Sequence, residues 1–255
     1  MHVYLYDAFV RTGPYARVMK TIENRLTDLE LSGKMIKLAA FSNPRSMLLD
    51  ELRSGAKTAI VIGDENTFGR VLTKCADVEM VFGWIPVGRD VSTREQLDVP
   101  YGEESCRTIA ARRVIELPVL KVNDRYAIAL AHVPMTRVWI SVDGKYALGP
   151  MGESMEVAIC NLRSLPWCEE AHAQFMNQED LYVHIRPLAA GKQSRWRPQY
   201  APLTSLPFSR MTMYGKAPFE LFLDGQRSKE TRVTIERAAH SIRIIAGKNR
   251  VRVAS

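Results

Sequence analysis

The chain has 255 residues, 46% of them hydrophobic, enough for one large or two small domains, and no apolar run approaches the roughly 18–20 residues of a membrane-spanning helix. The formal charge of +7 is uneven: from Leu181 onward 14 Lys and Arg stand against 4 Asp and Glu, so the last third is strongly basic and the rest slightly acidic. That excess points either to an anionic partner (a membrane surface, a phosphate-bearing ligand or nucleic acid) or to a solvated strand surface with its cations outward.

The first half alternates two periods. "MHVYLYDAFV" lacks the basic and long apolar regions of a secretory signal and reads as a first strand. "YARVMKTIENRLTDLELSGK" repeats apolar residues at helical spacing (Val18, Ile22, Leu26, Leu29), with Gly33 as its stop. "MIKLAAF" is a second strand, and Asn43-Pro44 opens a helix that closes at Gly55. A buried strand from Ala59 to Ile62 follows, then the turn Gly63-Asp64-Glu65-Asn66 and a helix starting near Thr67. "VEMVFGWIPVG" is a fourth strand ending at Gly88, and "EESCRTIAARRV" is helical. Strands separated by single helices imply a parallel open sheet, where ligands collect at the carboxyl ends of the strands. Gly63 and Gly88 both lie at such ends.

After about Ile115 the period becomes two. Short runs rich in Val, Ile, Tyr and Leu are punctuated by Asn123-Asp124, Asp143-Gly144 and Asp224-Gly225, the signature of antiparallel hairpins. The expected architecture is therefore α/β: a Rossmann-like open parallel sheet with helices over residues 1–118, then an antiparallel β-sandwich over 119–255.

The four cysteines (Cys75, Cys106, Cys160, Cys168) show neither C-x-x-C spacing nor histidines at metal-ligand intervals, so they read as reduced thiols of a cytosolic protein, with no zinc site. The five histidines share no spacing, and His184 alternates with Tyr182 and Arg186 as a residue of one sheet face. "QSRWRPQY" (193–200) mixes Arg195, Trp196, Arg197 and Tyr200, a composition suited to a membrane interface, to nucleic acid or to an exposed loop; no nucleic-acid motif accompanies it.

In order and spacing these motifs resemble the diacylglycerol-kinase and lipid-kinase superfamily, more distantly the NAD kinases, across nearly the whole chain. That family's phosphate loop, G-G-D-G-T, falls on Gly63-Asp64-Glu65-Asn66-Thr67. Its second loop, P-L-G-T-G-N-D, falls on Pro86 onward and matches Gly88, with Arg89 in the core. Its "iDl" strand falls on Ile115-Glu116-Leu117, and its late "DGE" turn on Asp224-Gly225-Gln226.

The resemblance implies an α/β domain followed by a β-sandwich, with ATP- and Mg²⁺-dependent phosphoryl transfer to a lipid hydroxyl in the cleft between them. On that reading Gly63, Asp64, Asn66, Thr67, Gly88 and Arg89 hold the nucleotide and Glu65 and Glu116 act through metal. Asp224 or Gln226 then orients the lipid alcohol. It also implies a cytoplasmic protein with peripheral contact at the inner membrane face through the basic region.

The departures define an alternative. Asp64 and Asn66 stand where the family has glycines that let its backbone approach phosphate, Glu65 where it has Asp, and Arg89-Asp90-Val91-Ser92 where it has T-G-N-D. Gln226 replaces the glutamate and cannot take a proton. Asp224 can substitute as a carboxylate or act only as a turn residue before Gly225. The alternative is a catalytically degenerate member that binds lipid, nucleotide or a protein partner without turnover.

Overall fold

Continuous apolar runs in the first half become strands buried on both faces. β1 (His2–Asp7), β2 (Gly33–Leu38), β3 (Thr58–Gly63) and β4 (Val81–Pro86) pair in parallel in the order β2-β1-β3-β4. Every residue of β3 and β4 is buried, as a parallel sheet covered by helices requires. In this computed structural model residues 1–39, 42–88, 92–149, 154–175, 180–188, 200 and 202–249 are described.

The helices are α1 (Tyr15–Asp28), α2 (Pro44–Arg53), α3 (Glu65–Lys74), α4 (Ser92–Leu97) and α5 (Ser105–Ala111). Met19, Ile22 and Leu26 of α1 pack with Ile60, Ile62, Ile85 and Ile109 into one core. Asn43 caps α2 by accepting from the Arg45 amide at 3.1 Å, as its place before Pro44 predicts. Two expected boundaries shift. α1 ends at Asp28, and Gly33 opens β2 instead, because a side chain there would collide with the His2 carbonyl. α3 begins at Glu65, two residues before Thr67, because Asp64 serves as its cap.

The chain divides into two compact units: Met1–Leu117 together with the stretch that starts at His240, and the intervening Pro118–Ala239. β5 (Val114–Val122) leads into the second unit, followed by β6 (Arg125–Ala127), β7 (Leu130–Thr136), β8 (Trp139–Val142), β9 (Tyr146–Leu148) and β10 (Met155–Cys160). Then come α6 (Glu169–Phe175), β11 (Leu181–Pro187), β12 (Thr204–Phe208), β13 (Arg210–Leu223) and β14 (Gln226–Ile245). The second unit is antiparallel, in the order β12-β11-β10-β7-β13-β14.

β13 shows how this sheet turns a corner. Its first part pairs with β8 and its last residues with β7, and its register against β14 slips between Tyr214 and Phe219. Gly215 and Pro218 fall in that slip, where a bulge bends the strand and a missing N–H does no harm. The inward residues of these strands, among them Val122, Val133, Ile140, Val157, Val183, Met211 and Val233, form a single core. The three turns foreseen from sequence sit in left-handed backbone at Asn123, Asp143 and Asp224. The last residues of β14 return to the first unit, where Arg243 and Ile244 pair with Val81 and Phe82.

Candidate functional site

Three strand ends of the first unit converge on one group of polar side chains. Asp7 closes β1, Gly63 closes β3, and Val87-Gly88 follows β4. Asp7 Oδ2 accepts a hydrogen bond from Thr67 Oγ1 at 2.9 Å and pairs with Arg70 Nη2 at 3.5 Å, while its other oxygen accepts from the Phe9 amide. Asp64 Oδ1 accepts from the Thr67 amide at 2.8 Å. Glu65 accepts from the hydroxyl of buried Thr93. Beneath them the Trp84 indole donates to the Gly63 carbonyl at 2.9 Å and stacks on Phe68, with ring centroids 4.8 Å apart.

The two loops touch. Gly88 has φ of 140°, and a Cβ on it would stand 3.1 Å from the Asp64 Cβ; one on Gly63 would stand 3.1 Å from Thr67. Thus Gly63, Asp64, Glu65, Thr67 and Gly88 form one constellation, with exposed Asn66 at its rim. Asp7 belongs to it too and was missed in the sequence; its position at the carboxyl end of a strand was the available signal. Arg89, with Asp90 and Val91, lies outside the described residues.

The remaining expected residues lie on other elements. Glu116 is exposed on β5, where it accepts from Ser241 Oγ at 3.1 Å. Asp224 and Gln226 belong to the second unit, at the hairpin between β13 and β14. Both Asp224 oxygens are engaged: Oδ2 accepts from the Ile128 amide at 2.7 Å, and Oδ1 from Ala129 and Leu130 at 2.8 Å each. Gln226 is exposed.

Comparison with solved structures gives the same architecture. A crystal structure of a diacylglycerol kinase from Bacillus anthracis superimposes with a TM-score of 0.74 at 13% identity, covering 98% of this chain and 97% of that one. The fold is that of the diacylglycerol kinases. Two further structures from the same organism give TM-scores of 0.72 and 0.74 at 13% and 12% identity, with 96% or more of each chain covered. No family model and no curated protein matches the sequence.

Within this diacylglycerol-kinase fold, two features of the first loop oppose a nucleotide phosphate, the cap of Asp64 on the Thr67 amide and the negative charge it brings. A phosphate held by a helix N-terminus needs its first amides. Here the third amide of α3, that of Thr67, is already taken by Asp64, whose carboxylate adds negative charge beside Asp7 and Glu65. The Gly88 backbone also packs close to the Asp64 side chain. Among the described residues, Glu65 and Glu116 join no group of three converging metal-capable side chains. An open polar hollow of about 400 Å³ lies elsewhere, between α1 and α5, lined by residues such as Arg25, Asp28, Glu104 and Arg107.

One converging metal-capable group does occur, and the spacing rules passed over it: Cys160, His172 and His184, all buried, with Cys168 beside Cys160. The hydrogen bond between the two thiols, with burial, pushes Cys160 up, and the same bond lowers Cys168. Burial lowers His172, and lowers His184 to about 4.

The basic surface is partly neutralised within the second unit. Arg227 pairs with Glu220, Lys121 and Arg210 with Glu236, and Arg125 with Glu230. Of the basic–aromatic segment, 193–199 lies outside the described residues; the Tyr200 ring sits 3.8 Å from the Arg186 guanidinium. No described helix is long and apolar enough to cross a membrane.

Proposed function

We propose that this protein uses the diacylglycerol-kinase fold to bind a ligand without transferring phosphate. The observation that carries this reading is the Asp64 carboxylate on the Thr67 amide, which puts a fixed negative charge where the fold's kinases bring a nucleotide phosphate. Two further features support it. Asp224 is committed to three backbone amides, so it is not poised to take a proton from a lipid hydroxyl. Gln226 has no carboxyl group at all.

The second reading, ATP- and Mg²⁺-dependent phosphorylation of a lipid alcohol, is favoured by Gly63, Thr67 and the close approach of Gly88 to the first loop. In it Glu65 and Glu116 hold metal, Arg89 grips a phosphate oxygen, and Asp224 or Gln226 orients the acceptor. A transfer assay separates the two: the full-length chain is incubated with γ-labelled Mg-ATP and vesicles containing diacylglycerol, a sphingoid base or another lipid alcohol. No label above background in any lipid supports the binding protein. Labelled phospholipid formed catalytically, and lost in Glu65→Gln, establishes the kinase instead.

A further inference from the structure

We propose that Cys160, Cys168, His172 and His184 form a closed tetrahedral site for a zinc-class divalent cation that pins α6 to the face of the sheet formed by β10 and β11. The proposal stands on the second unit alone and is independent of the functional reading above.

Strand parity brings the first two ligands together. β10 and β11 are antiparallel with Ala158 opposite His184, so Ala158, His184 and Cys160, two residues on from Ala158, share one face. The segment after β10 crosses that face. It brings Cys168 to the start of α6 and His172 one turn later, where the His172 amide donates to the Cys168 carbonyl at 2.8 Å. The sulfur of Cys160 and one ring nitrogen from each of His172 and His184 lie within 4.8 Å of one another. Cys168 Sγ is 3.4 Å from Cys160 Sγ. With Zn–S near 2.3 Å and Zn–N near 2.0 Å, tetrahedral ligands stand about 3.3–3.8 Å apart. Cys160, His172 and His184 need only contract around the ion, and Cys168, which now donates to the Leu165 carbonyl at 3.5 Å, turns from it to supply the fourth ligand.

The surroundings orient the ligands. His184 Nδ1 is 2.8 Å from Ser205 Oγ, its cross-strand neighbour on β12, which directs Nε2 toward the cluster. His172 is held at its other nitrogen by the Asn161 backbone, while its buried Nε2 has no hydrogen-bond partner. Leu130, Ala158, Leu165, Trp167 and Leu203 pack around the thiols. A buried imidazole nitrogen without a partner is costly to a fold, and a cation that accepts its lone pair removes the cost. Two thiolates with two imidazoles suit zinc over magnesium or calcium, and four protein ligands leave no open position for catalysis. With no open position the site is structural, and because binding displaces the two thiol protons to solvent it is acid-labile.

The test uses the full-length chain purified without added metal. After stripping, it is titrated with Co²⁺ and then Zn²⁺, with metal content measured by mass spectrometry. The site predicts one ion per chain, thiolate-to-cobalt charge-transfer absorption, intense tetrahedral d–d bands and displacement of cobalt by zinc. Cys160→Ser and His172→Gln each weaken zinc binding by roughly 100-fold or more, and Ser205→Ala by about tenfold. Cys75→Ser, in the other unit, leaves it unchanged. If a ligand variant fails to fold, the wild-type cobalt spectrum still decides. A spectrum without thiolate charge transfer, one that survives His172→Gln, or a Cys160–Cys168 disulfide in protein never exposed to oxidant overturns the proposal.

Discussion

Replacing Asp224 separates a turn lock from a catalytic carboxylate. In Asp224→Ala the amides of Ile128, Ala129 and Leu130 lose acceptors at 2.7–2.8 Å, and those of Ile128 and Leu130 belong to buried residues. A hydrogen bond to a charged group contributes about 1.5–3 kcal/mol, and three sharing one carboxylate are not additive, so the loss is about 4–5 kcal/mol. Position 224 also has φ of 48°, which costs Ala about 1 kcal/mol more. For a chain of this size 1 kcal/mol corresponds to about 2–4 °C in Tm, so the variant melts roughly 10–20 °C below wild type by calorimetry. Asp224→Asn keeps an oxygen for Ala129 and Leu130 and tolerates the left-handed backbone, but turns an NH₂ toward the Ile128 amide. It loses about half as much. An Asp224→Ala protein melting within about 3 °C of wild type would refute the turn-lock reasoning and return Asp224 to the list of candidate bases.

Three further outcomes follow from the same geometry. Burial holds His172 and His184 neutral, with His184 lowered to about 4. As pH falls from about 6.5 toward 4 the unfolded chain takes up protons that the folded unit refuses, so stability drops by up to ~1.4 kcal/mol per pH unit for His184, with His172 acting in the same direction. Urea unfolding of EDTA-treated protein at about pH 7 and about pH 4.5 measures the drop, and His184→Gln flattens it unless the logic is wrong. Cys75 and Cys106 are pushed up to about 12, burial being the largest cause, so alkylation at neutral pH leaves both unmodified until denaturant is added. Gly88→Ala forces a Cβ against Asp64 at φ of 140° and lowers stability by about 1–3 kcal/mol, read from denaturant midpoints.

Much of the fold was legible because parallel strands buried on both faces leave uninterrupted apolar runs, as in "TAIVIG" and "VFGWIP". The hairpin turns were legible because Asn123, Asp143 and Asp224 occupy left-handed backbone that few residues accept. The start of α3 was misjudged by two residues, since the sequence alone does not say which of Asp64 and Asn66 caps the helix. That the Gly63 and Gly88 loops end neighbouring strands was legible, but the chemistry there was not. The family resemblance implies a phosphate contact at Asp64, and only the fold shows its carboxylate on the Thr67 amide. Asp7 was invisible because its partners, Thr67 and Arg70, stand some sixty residues away. The cysteine–histidine cluster was invisible because its spacing, C-x7-C-x3-H-x11-H, follows from strand pairing and not from a compact motif.

The reading of this protein as a binding protein turns on whether Asp64 bars nucleotide phosphate from the first loop. Calorimetric titration of wild type and Asp64→Gly with Mg-ATP tests it directly. Glycine at a helix cap costs only a few tenths of a kcal/mol relative to Asp, so the variant keeps its fold. A carboxylate about 4 Å from a phosphate oxygen opposes binding by at most ~4 kcal/mol at an effective dielectric of 20, and half-exposure reduces this to about 1–2 kcal/mol. If Asp64 is the bar, wild type shows no measurable binding at millimolar nucleotide and Asp64→Gly binds at least roughly tenfold more tightly. Micromolar binding by wild type, left unchanged by Asp64→Gly, would contradict it.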